Sequence, residues 1–255
     1  MKIQYASDLH VEFKDNSSFL RENPLKVEAD VLVLGGDIAL FERRWEKHDF
    51  FDWCADHFEQ TYIVFGNHEY YSGFDVGNTL YNYEYKLRAN VQYVNNQSLR
   101  IENTELFFTT LWSVIKKEEL MSVQMGLSDC RFIILHEKRM TSSDYSFLHD
   151  NCKSWLEKAL RVSTANHKIV VSHHCPTERF KDPRFIESTI NSAFVVDMEQ
   201  FIKESDIDCW IYGHTHYNGG QDFRIGNTLM KTNQLGYVKY LEHQTFNPSA
   251  FIEVK

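Results

Sequence analysis

The sequence predicts an α/β fold with mixed sheets. Three observations carry the prediction. Five short apolar runs each stop at a cluster of polar side chains. The first three clusters follow one another at intervals of about 30 residues, the length of a βαβ unit. Two hairpin patterns then break the alternation of strand and helix, so the sheets cannot be purely parallel.

Taken in order, Ile3–Ala6 runs into Ser7-Asp8-Leu9-His10, Val31–Leu34 into Gly35-Gly36-Asp37, and Tyr62–Phe65 into Gly66-Asn67-His68-Glu69. Ile169–Val171 runs into Ser172-His173-His174, and Trp210–Tyr212 into Gly213-His214-Thr215-His216. Their shortness, β-branched content and polar or glycine endings read as buried strands. Between the second and third, Phe51, Cys54, Ala55 and Phe58 recur at the helical period and predict a helix packed on a sheet. Thr141-Ser142-Ser143-Asp144 resembles a capping box. The helix it opens would bury Leu148, Cys152, Trp155, Leu156, Ala159 and Leu160. Phe194, Met198, Phe201 and Ile202 form a shorter core stripe. The hairpins are Ser98–Glu102 with Glu105–Thr110, turning at Asn103-Thr104, and Phe223–Ile225 with Thr228–Lys231, turning at Gly226-Asn227. Residues 112–167 read as helical or irregular, either packing on a sheet or overhanging the strand ends as a partial cap. The 255 residues show no repeat, linker or low-complexity tract and are read as one domain, 1–255.

The formal net charge of −9 disfavours a long nucleic acid as partner, because phosphate neutralisation needs clustered Lys and Arg. Five scattered cysteines without CxxC spacing fit reduced thiols, and no apolar stretch reaches the roughly 18 residues of a membrane span. The expectation is a cytoplasmic protein with no membrane partner.

In open α/β sheets, ligands gather beyond the carboxyl ends of the strands. Six of the twelve histidines (His10, His68, His173, His174, His214 and His216) stand in the strand-end clusters, beside Asp8, Asp37 and Asn67. Imidazole mixed with carboxylate and amide oxygen suits manganese, iron, zinc, cobalt or nickel. The set exceeds the four ligands of one tetrahedral zinc. Two ions sharing one carboxylate use it economically, and Asp37, alone after two glycines, is the bridging candidate.

Asp8-x-His10, Gly36-Asp37, Gly66-Asn67-His68-Glu69, the strand-end His173 and Gly213-His214-x-His216 together resemble the signature of the calcineurin-like metallophosphoesterases, all five blocks in order. Thr110-Leu111-Trp112-Ser113 and Phe246-Asn247-Pro248 are similar to a bacterial branch of small stand-alone members. The resemblance implies a four-layer α/β/β/α sandwich of two mixed sheets flanked by helices. It implies two divalent or trivalent metal ions, the first held by Asp8, His10, Asp37 and His216, the second by Asp37, Asn67, His173 and His214. His68 would be the catalytic acid or transition-state donor, while a hydroxide bridging the ions attacks phosphorus in line. Glu69 would support the His68 loop, and His174 would lie behind the ligands or on the substrate side.

Protein phosphatases of this superfamily carry Gly-Asp-x-Val-Asp-Arg-Gly at the second block, where this chain has Gly36-Asp37-Ile38-Ala39-Leu40. Both the arginine that grips a phosphomonoester and the carboxylate partner of the catalytic histidine are missing from that place. The expected substrate is therefore a small phosphodiester or nucleotide-type phosphoester. The alternatives are a phosphomonoester, a nuclease substrate, or no substrate in a metal-binding scaffold. Arg43, Arg44, Arg179 and Arg184 are candidates to replace the clamp, and Tyr70, Tyr71, Tyr81, Tyr83 and Tyr85 for a base-stacking wall.

Overall fold

Successive residues of the central strands point into different cores. In a computed structural model that describes residues 1–219 and 223–254, Val31 and Val33 face one apolar layer while Leu32 and Leu34 face another. The chain folds as strands β1 (Lys2–Ala6), β2 (Val31–Leu34), β3 (Gln60–Val64), β4 (Tyr83–Arg88), β5 (Val91–Asn95), β6 (Gln97–Ile101) and β7 (Thr104–Thr109). A two-residue hairpin, β8 (Ile134–Leu135) and β9 (Lys138–Arg139), precedes β10 (His167–Ser172), β11 (Cys209–Tyr212), β12 (Phe223–Ile225), β13 (Thr228–Thr232) and β14 (Phe251–Glu253). The helices are α1 (Lys14–Glu22), α2 (Asp49–His57), α3 (Leu120–Gly126), α4 (Asp129–Phe132), α5 (Asp144–Val162) and α6 (Glu199–Glu204).

Two six-stranded sheets result, ordered β14-β1-β2-β3-β5-β4 and β12-β13-β11-β10-β7-β6. Each has a parallel centre and antiparallel edges. The inner layer takes alternate residues from both sheets, among them Tyr5, Val33, Val64, Phe108, Val171 and Ile211. On the outer face of the first sheet, Leu32 and Ile63 pack with Phe51 and Cys54 of α2 and with Leu148 of α5. Across the molecule, Val170 and Trp210 pack with Leu156 of α5 and Ile202 of α6. This is the expected four-layer arrangement of two mixed sheets with helices outside. Because β1, β2 and β3 run parallel, as do β10 and β11, their carboxyl ends bring the five polar clusters together. Among the described residues no helix is long and apolar enough to cross a membrane.

Several elements differ from the sequence reading. The first hairpin turns at Glu102-Asn103, one residue early. Glu102 takes the left-handed conformation (φ 54°), while buried, β-branched Thr104 pairs with both Ile101 and His167. The capping box is half formed: Asp144 accepts from the N–H and hydroxyl of Thr141 at 2.7 Å, but no side chain caps the start of α5. Of that stripe Phe201 and Ile202 lie on α6 and Met198 caps its start, but Phe194 does not belong to the helix. It precedes α6 and stacks on His214 with ring centroids 4.9 Å apart. Strands β4 and β5 are additions to the sequence reading, and β4 falls in the tyrosine-rich stretch. Its Tyr83 and Tyr85 alternate with the charged Glu84 and Lys86 on a sheet edge.

Candidate metal centre

Tight turns at the strand ends aim the candidate ligands inward. Asp8, His10, Asp37, His214 and His216 all hold φ between 48° and 76°, a region costly for residues with a Cβ and concentrated at functional sites. Close approach dictates the glycines beside them. A Cβ on Gly66 would stand 2.1 Å from Asp37 Oδ1, and one on Gly36, itself at φ 91°, would stand 2.5 Å from His173 Nδ1.

The histidine tautomers follow from what each outer nitrogen faces. Nδ1 of His173 lies 2.9 Å from the Gly35 carbonyl, and Nε2 of His214 lies 3.4 Å from the Ala193 carbonyl. Carbonyls only accept, so both outer nitrogens carry hydrogen. The inner nitrogens, His173 Nε2 and His214 Nδ1, are then bare lone pairs only 3.0 Å apart. Asn67 adds a third acceptor. Its Nδ2 donates to Asp129 Oδ1 (2.9 Å) and Tyr71 Oη (3.1 Å), which turns Oδ1 toward His173 Nε2 at 3.1 Å. Asp37 Oδ1 stands 3.5 Å from the same nitrogen. Four acceptor atoms converge here and, with Asp37 ionised, none carries a hydrogen, an arrangement that a cation satisfies.

The second group repeats this design. Nδ1 of His10 faces Glu12 (3.1 Å) and Nδ1 of His216 faces Glu242 (2.7 Å), so the two Nε2 atoms, 3.1 Å apart, are the free ligand atoms. Asp8 Oδ1 lies 3.4 Å from His216 Nε2, and Asp37 Oδ2 lies 3.7 Å from His10 Nε2. Asp8, His10, Asp37 and His216 offer ligand atoms all within 4.8 Å of one another. Asp37 thus sends one oxygen toward each group.

Electrostatics agree with cation binding. Burial, followed by the charges of Glu69 and Asp8, holds the Asp37 carboxyl well above the usual carboxylate range. Burial lowers His10 and His173 to about 4, and pushes His214 well below its ordinary value, so these rings are neutral and ready to ligate at pH 7. His216 differs. Burial opposes its charge, but hydrogen bonds to Asp8 and Glu242 raise it to about 9, and its own proton fills the gap between the rings.

His68 packs edge-on against His10, ring centroids 4.5 Å apart, and shares Glu12 with it. Its Nδ1 lies 3.1 Å from Glu12 Oε1, so Glu12, from β1's own motif, supplies the carboxylate partner missing from the second block. Glu69 accepts the N–H groups of Gly66 (2.8 Å), Asp37 (3.0 Å) and Ile38 (2.8 Å), pinning two ligand loops together. His174 is fully buried behind His214, ring centroids 4.2 Å apart, with Nδ1 on the Thr110 carbonyl. It is not among the residues that line the cavity, and its ring clusters with those of His173 and His214.

The cavity over the centre has a volume of about 870 Å³. Trp45, Tyr71, Phe132, Phe185, Phe194 and Tyr240 give it an aromatic lining. Of the five candidate stacking tyrosines only Tyr71 reaches it: Tyr70 is buried in the core and Tyr81 is exposed. Of the candidate arginines, Arg44 lines it but is 72 % exposed beside Glu42. Arg179 pairs with Glu199, and Arg184 with Asp182 and Glu242. Glu12 stands two residues after His10 and was open to discovery from the sequence. Asp129, Tyr237 and Glu242 lie far from any strand-end motif, and no local pattern marks them.

Two mixed sheets that gather candidate metal ligands at their strand ends are an arrangement that a dinuclear metal centre would use. A sequence profile of the calcineurin-like phosphoesterases matches residues 1–218, and the chain belongs to that family. Over 99% of its length it is 27% identical to an uncharacterized protein of Acanthamoeba polyphaga mimivirus, of which the match covers 96%. The solved structure of a phosphopantetheinyl hydrolase from Mycobacterium tuberculosis shares the fold at a TM-score of 0.64 and 14% identity, with 96% of this chain and 92% of that one covered. A dimetal phosphatase from Danio rerio aligns at a TM-score of 0.46 and 17% identity, over 98% of this chain and 91% of that one.

Proposed function

We propose that this chain hydrolyses a small phosphodiester or nucleotide-type substrate with two metal ions. The observation that carries the reading is the pair of converging acceptor groups joined by Asp37. Asp8, His10, Asp37 and His216 would hold one ion, and Asp37, Asn67, His173 and His214 the other. Bound there, two ions would supply positive charge to the phosphoryl oxygens and ready a water for attack near neutral pH.

The chain's own side chains do the remainder. Glu12 fixes the ring of His68, which lines the cavity and would serve the departing ester oxygen in the transition state. Glu69 keeps the Asp37 and Asn67 loops in register. Residues 126–129 and Phe132 line the cavity, which supports reading the 112–167 stretch as a partial cap. A diester is favoured over a monoester because the arginine of the protein-phosphatase signature is missing after Asp37, and the arginine among the described cavity-lining residues, Arg44, is 72 % exposed beside Glu42. A monoester carries the extra charge that such a clamp would answer. The aromatic lining gives room for an arm beyond the phosphorus.

The test is hydrolysis of bis(p-nitrophenyl) phosphate beside p-nitrophenyl phosphate, with Mn²⁺-reconstituted and metal-stripped protein. The reading expects metal-dependent turnover with the higher kcat/KM on the diester. Preference for the monoester would overturn the diester assignment. Two bound ions without turnover of either ester would favour the scaffold alternative.

A further inference from the structure

The family profile ends at residue 218, yet Tyr237 packs against three of the site's histidines. Its ring centroid lies 4.7 Å from that of His10, 4.6 Å from His216 and 6.3 Å from His68. The backbone that carries it is tied to the centre. The N–H of Gly236 donates to the Asp8 carbonyl (3.1 Å), and that of Tyr237 donates to Glu242 Oε2 (2.8 Å), the oxygen that also holds His216. The side chain lines the cavity, and its hydroxyl sits 3.2 Å from His68 Nε2.

That contact sets the direction of hydrogen bonding. Nδ1 of His68 faces the Glu12 carboxylate, which accepts, so in the neutral ring the hydrogen is on Nδ1 and Nε2 is a lone pair. The phenol therefore donates to His68, and His68 by itself presents no hydrogen to the cavity. We infer that Tyr237 is a catalytic residue of the proposed reaction, its hydroxyl held by His68 until the ester binds and then donating its hydrogen bond to the departing ester oxygen. When the ester arrives, the hydroxyl hydrogen swings about its C–O bond from His68 to that oxygen. No covalent bond to Tyr237 forms or breaks. The inference rests on the phosphoesterase reading and adds to it the group that meets the leaving oxygen.

Tyr237→Phe removes the hydroxyl alone. The probes are methyl phenyl phosphate and methyl p-nitrophenyl phosphate, diesters that differ only in leaving group, assayed with bound metal counted for each protein. Loss of a positioned donor costs on the order of 10²-fold where charge develops most. The phenyl ester should slow by about that factor in kcat, while the p-nitrophenyl ester, whose leaving oxygen carries its charge easily, is nearly unaffected and metal content is unchanged. Equal slowing of both esters, no slowing of the phenyl ester, or loss of metal from the variant would each overturn the role of Tyr237. Failure of the unmodified, metal-loaded chain to hydrolyse either ester would instead sink the phosphoesterase reading itself.

Discussion

The Asp129 carboxylate accepts the Nδ2 hydrogen of Asn67 at 2.9 Å, and so decides which end of that amide faces His173. Asp129 is fully buried, and its other oxygen accepts from the Tyr145 hydroxyl. Asp129→Ala frees the amide to turn its NH₂ inward. Orienting partners of this kind are typically worth about 10–100-fold in metal affinity. Metal titration should show that loss at the Asn67 group alone, with the Asp8 group still filled. Two equally tight ions in the variant would remove Asp129 from the account.

Glu12 Oε1 serves His68 and His10 together. His68→Ala is expected to keep both ions and to lose about 10²–10³-fold in kcat, the worth of one positioned donor, because the Tyr237 hydroxyl loses the ring that holds it. Glu12→Gln should also slow turnover, and should in addition weaken the ion next to His10. Equal metal content in the two variants would mean that Glu12 matters to His68 only.

Metal uptake should depend on pH with a definite sign. His216, raised to about 9 by Asp8 and Glu242 against the effect of burial, is protonated at pH 7, and an ion binding there must displace that proton. Affinity at the Asp8 group should therefore climb by about tenfold per unit as pH rises toward 9, then level off. Calorimetry in buffers of different ionisation enthalpy should detect the released proton. Uptake that does not change between pH 6 and 9 would contradict the assignment.

Glu69 ties the loop after β2 to the loop after β3 through three backbone N–H groups. Glu69→Gln puts an NH₂ against at least one of them and leaves a buried donor without its acceptor, at a cost of about 1–3 kcal/mol. A thermal melt should show a Tm lower by several degrees. An unchanged Tm would mean that the loops are held elsewhere.

The strand ends were legible because each motif is local: a run of three or four residues, mostly apolar, a glycine or serine, then the candidate ligands. Alternation along the same strands also made the layers readable, since Val31 and Val33 separate from Leu32 and Leu34 by parity alone. What the sequence hid are the partners that long-range folding supplies. Glu242 reaches His216 from 26 residues away and Asp129 reaches Asn67 from 62, and neither sits in a periodic or glycine-marked stretch. The misread hairpin turn has a smaller cause. Asn103 is the stronger turn residue by type, but the register is set by the burial of Thr104, which no two-residue rule can see.

The central claim is that Asp37 is shared by two ions, and anomalous diffraction from Mn²⁺-loaded crystals tests it most directly. The account predicts two peaks, one on each side of the Asp37 carboxylate: the first against Asp8, His10 and His216, the second against Asn67, His173 and His214. Both should weaken in Asp37→Asn. A single peak, or two that persist at full strength in that variant, would contradict it.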